Sequence, residues 1–221
     1  MKNRDDATAF FGKVTASTTH ELQNVLAIIK ENAGLMEDFI QMGPENLPDL
    51  LERITRCLGK IKEQAYRGVD LTSGLNQFAH TTDRLCAPVN IYQLAKRLIL
   101  LTKRVFSQQG IQVILMDCEN SPSIETDPVL FQNLLWNCLK CLSETRELKT
   151  NIVVRVLNSD ISKEIDICYD DATLDTELFH ENLSGSAIWN DIQGACKELN
   201  LTTTTLTPPG IRILLPPLPL T

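Results

Sequence analysis

Residues 19–26 read Thr-His-Glu-Leu-Gln-Asn-Val-Leu and lie inside a mixed polar and apolar run from 6 to 41. Apolar side chains recur through that run at spacings of three, four and seven, which predicts an amphipathic helix. Asn24 follows His20 by one helical turn and lies about 40° from it around the axis. Glu21 is the next residue along the chain. We therefore expect one helix face to present an imidazole, a carboxylate and an amide to solvent.

The composition is that of an ordinary globular protein and excludes several functional classes. The chain has 221 residues, 43% of them hydrophobic and 22% charged, enough for one large domain or two small ones. Its net charge is −7 with no basic block, so neither nucleic acid nor an anionic membrane surface is expected as a partner. We find no signal-peptide pattern and no run approaching the roughly 18 apolar residues of a membrane span.

The seven cysteines point to a reducing compartment. Their number is odd and their positions are scattered, which favours reduced thiols in a cytoplasmic protein over a disulfide framework. Cys138 and Cys141 form a CxxC pair, but no second pair accompanies them and they lie in an apolar helical run. We expect these two thiols to pack in the core.

The first part of the chain is expected to be a helical hairpin. A helix over 6–41 ends at Gly43 and Pro44, and a second helix over about 47–79 again has apolar residues at spacings of three and four. A lone hairpin cannot bury both apolar stripes, so we expect a homodimer in which two hairpins form a four-helix bundle. The alternative is that the rest of the same chain covers the stripes.

The helical period is lost before a proline at position 88, which predicts a domain boundary. We expect a hairpin domain over 1–82, a linker over 83–88 and a second domain over 89–221. The fold class is α+β, a helical hairpin followed by a two-layer α/β sandwich with a mixed sheet. The second domain is expected to have strands at 89–91, 111–116, 152–157, 164–169, 201–206 and 211–215, helices at 92–109, 129–142 and 186–199, and a loop at His180.

This order of elements resembles the transmitter half of two-component sensor histidine kinases over nearly the whole chain. The strongest match is the phospho-acceptor box, His-Glu-x-x-Asn/Thr-Pro-Leu, met here by His20, Glu21, Asn24 and Leu26, with Val25 in place of the usual proline. The resemblance implies that His20 accepts a phosphoryl group and that Glu21 orients the ring or takes its proton. It also implies that Asn24 can hold an attacking water and that the partner is a response-regulator receiver domain.

The nucleotide site of that family is only partly matched. Asn137 stands where the family places the asparagine that coordinates nucleotide-bound magnesium, and Asp170 or Asp171 where it places the adenine-reading aspartate. Both glycines after that aspartate are missing, and only Gly185 remains of the later glycine-rich loop. No lysine or arginine lies between positions 163 and 197. We therefore expect no cofactor, with Asn137 a metal ligand only if nucleotide and magnesium do bind.

These features favour the type of histidine phosphotransferase whose ATP-binding domain is degenerate. Such a protein would pass a phosphoryl group through His20 to or from receiver aspartates. One alternative is a divergent ATP-dependent histidine kinase that uses Asn137 with Asp170 or Asp171. Another is a non-catalytic dimeric scaffold, or a phosphatase acting on a response regulator through Asn24.

Overall fold

The computed structural model describes residues 2–43, 47–144, 150–159, 162–171, 176–207 and 209–216. The helices are α1 Lys2–Met42, α2 Leu47–Ala79, α3 Ile91–Ser107, α4 Pro128–Glu144, α5 Thr176–Ser184 and α6 Ala187–Glu198, with a 3-10 helix at His80–Asp83. The strands are β1 Ala87–Asn90, β2 Val113–Leu115, β3 Ser123–Thr126, β4 Ile152–Asn158, β5 Lys163–Tyr169, β6 Thr202–Leu206 and β7 Gly210–Leu214. No helix in these ranges is long and apolar enough to cross a bilayer.

Helices α1 and α2 form the expected antiparallel hairpin. Gly43 ends α1 in the left-handed region at φ 71°, which favours glycine. Further along, Gly68 allows the helices to approach closely, since a Cβ there would lie 3.3 Å from Cγ1 of Val25. At the base of the hairpin the rings of Phe10 and Phe78 meet edge to face, 5.6 Å apart.

The rest of the chain is a two-layer α/β sandwich, as expected. Five strands form a mixed sheet in the order β2-β4-β5-β7-β6, in which β2 and β4 are parallel and the other neighbours antiparallel. Alternate side chains of β5, such as Ile165 and Ile167, enter the core against the helices. Strands β1 and β3 form a separate antiparallel pair.

A buried aromatic cluster joins the hairpin to the sandwich. Phe10 of α1 and Phe78 of α2 belong to the same core as α3 and α4, and the Phe10 ring lies 5.9 Å from Trp136. Helix α2 packs on α3 at Gly74, where a Cβ would lie in ordinary van der Waals contact, 3.4 Å from Cδ2 of Leu101. The sandwich therefore covers the apolar stripes at the base of the hairpin. This agrees there with the alternative to dimerisation, in which the rest of the same chain covers the stripes. Beyond the base, large apolar side chains stay exposed on both helices: Leu26, Ile40, Leu47, Leu51, Leu58, Tyr66 and Val69.

One local expectation was wrong, and two further features were not expected. His180 lies on helix α5 and not in a loop. Strand β3 was not expected. It pairs with β1, which precedes α3 in the chain, and such a long-range pairing leaves no pattern in the local sequence. Thr18 breaks the apolar pattern of α1 and yet is fully buried, because its hydroxyl donates to the carbonyl oxygen of Val14 at 2.8 Å.

Candidate functional site

His20 and Asn24 lie near the middle of the 41-residue helix α1, and both side chains are exposed. A helix rises 1.5 Å per residue, so they are separated by roughly 6 Å along the axis on nearly the same face. The flanking residues keep this part of α1 anchored, since Thr18 and Val25 are buried. An imidazole and an amide are thus presented to solvent from a rigid element.

Glu21 does not share that solvent-facing position, which corrects the expectation drawn from the sequence. Its carboxylate accepts a hydrogen bond from the guanidinium of Arg67 on α2, and only 15% of its side chain is exposed. Nη1 of Arg104 on α3 lies 4.0 Å from the same carboxylate. Successive helical residues are rotated by 100°, so Glu21 turns towards α2 and α3 where His20 faces out.

A cavity of about 520 Å³ opens beside His20, between α1 and the ends of α3 and α4. Its wall from α1 includes Lys13 and Ser17, which with His20 repeat at spacings of four and three along one helix face. Arg104 and Lys140 enter from α3 and α4. Sequence reasoning missed these residues. The α1 spacing was visible in the sequence, but the approach of α3 and α4 was not.

The residues expected at a nucleotide site lie around the meeting point of α4, β5 and α6. Asn137 is half-buried on α4, Asp170 is exposed and Asp171 half-buried just after β5, and Gly185 precedes α6. Tyr169 links β5 to α4 by donating its hydroxyl to the carbonyl oxygen of Leu142 at 2.7 Å. Helix α4 therefore contacts β5, and it also packs against α6.

Helix α5 packs apolar side chains into this region. Phe179 and Leu183 are 6% and 1% exposed and belong to the main core. The Phe179 ring meets Tyr169 edge to face, with the ring centres 5.9 Å apart. The described part of the segment between β5 and α6 is thus a packed helix. The segment over 172–175 lies outside the described residues.

The two cysteines of the CxxC pair pack in the core, as expected. Cys138 and Cys141 are reduced thiols, and both are buried. Burial raises the pKa of the Cys141 thiol to about 11 and that of Cys138 well above its usual range. Within the described ranges, no group of three or more histidine, cysteine, aspartate or glutamate side chains could hold a metal ion.

Comparison with known proteins gives structural neighbours only. No protein-family model and no curated protein matches the chain. It is similar to the catalytic domain of histidine kinase ThkA, at 12% identity over 58% of this chain and 93% of that one, with a TM-score of 0.46. A bacterial phosphotransferase matches at 14% identity over 93% and 95% of the two chains, with a TM-score of 0.42. ThkA in complex with response regulator protein TrrA matches at 13% identity over 96% and 63%, with a TM-score of 0.45.

Proposed function

We propose that this chain is a histidine-kinase-like protein of two-component signalling in which His20 carries a phosphoryl group. The observation that carries the proposal is the exposure of His20 in the middle of α1, with Asn24 exposed one turn further on. An attacking nitrogen and the group it attacks must meet in line, and an exposed imidazole on a long helix allows that approach.

The partner we propose is a receiver domain that brings its own aspartate and magnesium ion. In the forward step, a ring nitrogen of His20 attacks the phosphorus of the aspartyl phosphate. The nitrogen–phosphorus bond forms, the phosphorus–oxygen bond breaks, and the aspartate leaves as a free carboxylate. In the reverse step, a receiver aspartate takes the phosphoryl group back. We propose that Asn24, exposed one turn after His20, holds the water for hydrolysis on the partner.

We further propose that the chain is a relay station and not an ATP-dependent kinase. Burial of Phe179 and Leu183 supports this, because α5 fills space next to the elements that would surround a nucleotide. The kinase remains the second candidate. Asn137 on α4 and Asp171 just after β5 keep polar side chains only half-buried, which favours it.

A homodimer is part of the proposal. It is supported by the polar side chains that the hairpin buries and the apolar side chains that it exposes. Asn32 and Gln64 are buried between the helices, and within the described residues Oε1 of Gln64 has no hydrogen-bond partner. Leu58 and Val69 are 51% and 63% exposed. A hairpin that buries amides and exposes leucines gains by burying the leucines against a second copy, which forms a four-helix bundle.

Phosphoryl transfer from radiolabelled receiver domains tests the proposal. The wild-type chain should gain acid-labile label, and His20→Gln should lose it. His80→Gln is the matched control, because His80 is also exposed, with Nδ1 2.8 Å from the Asp83 carboxylate. If no receiver in a broad panel gains or loses phosphate, the scaffold alternative replaces this proposal.

Incubation with labelled ATP and magnesium separates the relay from the kinase. The relay predicts no label on His20. Label that appears with ATP and is lost in both His20→Gln and Asn137→Ala would establish the kinase instead. Faster loss of phosphate from a receiver, abolished by Asn24→Ala, would establish the phosphatase role.

A further inference from the structure

We propose that the cavity beside His20 is a binding subsite for the phosphoryl group that this histidine carries. The phosphoryl oxygens would lie among Lys13, Arg104 and Lys140, with the hydroxyl of Ser17 as a further donor. This inference rests on the proposed function, because it assigns a site to the phosphorylated form of His20.

The cavity has the size and lining of a small-ligand site. Its volume of about 520 Å³ lies within the range of about 300–1,000 Å³ typical of ligand pockets. Phe106 and Trp136 line it and are 1% and 5% exposed, so they provide a rigid apolar wall. His20 is itself one of the lining residues. A group bonded to a ring nitrogen can therefore enter the cavity when the ring turns towards it.

The charge of the lining matches a phosphoryl group. Among the described residues of the lining, Lys13, Arg104 and Lys140 contribute three positive charges and Glu144 is the one carboxylate. Glu144 lies 3.6 Å from the Lys140 ammonium, so it offsets one of the three. Glu21 does not line the cavity, and its carboxylate lies 4.0 Å from Nη1 of Arg104. A phosphoryl group brings about two negative charges near neutral pH, and the cavity offers a surplus of positive charge to hold them.

Ser17 gives a second and independent indication of a ligand. Three hydroxyl residues follow one another on α1, and those of Thr18 and Thr19 each donate to a carbonyl oxygen one turn earlier, at 2.8 Å. Ser17 is 7% exposed and lines the cavity, yet its hydroxyl has no hydrogen-bond partner in the described part of the chain. Buried hydroxyls normally have a partner, so this one is free to donate to an anion. Ser17 precedes His20 by three residues and so shares its face.

The test uses chemical phosphorylation, which needs no receiver domain. Potassium phosphoramidate phosphorylates accessible histidines, and the phosphorus NMR signal of His20 is identified by its absence in His20→Gln. Titration of that signal with pH gives the pKa of the phosphoryl oxygens. Nearby cations lower this pKa because they favour the doubly charged form.

The lysine variant is Lys13→Gln combined with Lys140→Gln, and the matched control is Lys30→Gln combined with Lys62→Gln. All four lysines lie on helices, and the control removes the same charge from exposed positions on α1 and α2. Arg104 is left unchanged because it also approaches Glu21. The phosphoryl pKa should rise by roughly half to one pH unit in the lysine variant and stay near the wild-type value in the control. Ser17→Ala should raise it by a smaller amount.

Equal pKa values in wild type, lysine variant and control would overturn the subsite. So would a wild-type value equal to that of the urea-unfolded phosphoprotein. Lys13→Glu is a second variant at an exposed position, and it should raise the pKa further than Lys13→Gln. If the protein exchanges phosphate with receivers but shows no such pKa shift, the proposed function stands and the subsite does not. If it shows the shift but exchanges phosphate with no receiver, only the subsite stands.

Discussion

The carboxylate of Glu21 accepts a hydrogen bond from the guanidinium of Arg67, which ties the residue after His20 to the opposite helix of the hairpin. Arg104 of α3 approaches the same carboxylate. One side chain thus connects α1 with both α2 and α3, directly beside the proposed acceptor. We infer that Glu21 fixes the position of His20 relative to the cavity, and that its carboxylate is not free to take a proton from the ring.

Glu21→Gln should therefore reduce the stability of the fold more than it reduces the rate of phosphoryl transfer. We expect the free energy of unfolding to fall by roughly 1 kcal/mol, because two partly exposed guanidinium groups lose a charged acceptor. Phosphoryl uptake by His20 should change by less than about tenfold, whereas loss of a general base costs about 10² or more. Urea denaturation and the rate of label transfer measure the two effects. Glu37→Gln, at an exposed site on α1, is the control.

The exposed leucines of α2 predict the oligomeric state. Leu51 and Leu58 are 56% and 51% exposed and lie about 20° apart around the helix. Light scattering should give twice the chain mass for the wild type. The double variant Leu51→Glu and Leu58→Glu should give the monomer mass, since burying two carboxylates in a bundle core is unfavourable.

Lys60→Glu is the charge-matched control for that experiment, because it also shifts the net charge by two units from an exposed position on α2. It should remain dimeric. A wild-type protein that is monomeric at every concentration would contradict the four-helix bundle.

The aromatic cluster predicts that the hairpin and the sandwich unfold together. Phe78 is 1% exposed and packs on Phe10, which in turn lies against Trp136. Phe78→Ala should lower the free energy of unfolding by about 3–5 kcal/mol, the usual range for a buried phenylalanine. Tryptophan fluorescence and far-ultraviolet circular dichroism should report one shared transition in the wild type. Two separate wild-type transitions would show that the cluster does not couple the two parts.

The buried thiols predict a loss of stability at high pH. Burial raises the pKa of Cys196, like that of Cys141, from 9.0 to about 11. A raised folded-state pKa means that the stabilising contribution is complete below pH 9 and is lost as the pH rises from 9 to 11. The unfolding free energy should fall over that window, and it should fall less in Cys196→Ala. Cys86→Ala, at an exposed position, is the matched control.

The rate of thiol modification gives an independent measure of which cysteines are buried. The Cys86 thiol should react with a maleimide at pH 8 in the folded protein, and Cys138, Cys141 and Cys196 only after unfolding. Rapid modification of all four in the folded state would contradict the core packing of the CxxC pair.

The sequence by itself determined the features that depend on neighbours within a few residues. Helical periodicity placed His20 and Asn24 on one exposed face, and Gly43 marked the end of α1, because side-chain direction and backbone conformation are local properties. Apolar strand patterns gave the sandwich for the same reason. These signals were sufficient for the fold class and for the candidate acceptor.

Only the tertiary structure decided which groups surround the acceptor. Arg67 follows Glu21 by 46 residues, and Arg104 and Lys140 lie still further along the chain, so no spacing rule could bring them to α1. The loop predicted at His180 is part of helix α5, whose stability comes from burying Phe179 and not from a strong local pattern. The sequence therefore predicted His20 as the acceptor, and long-range packing determined the cavity and the charges beside it.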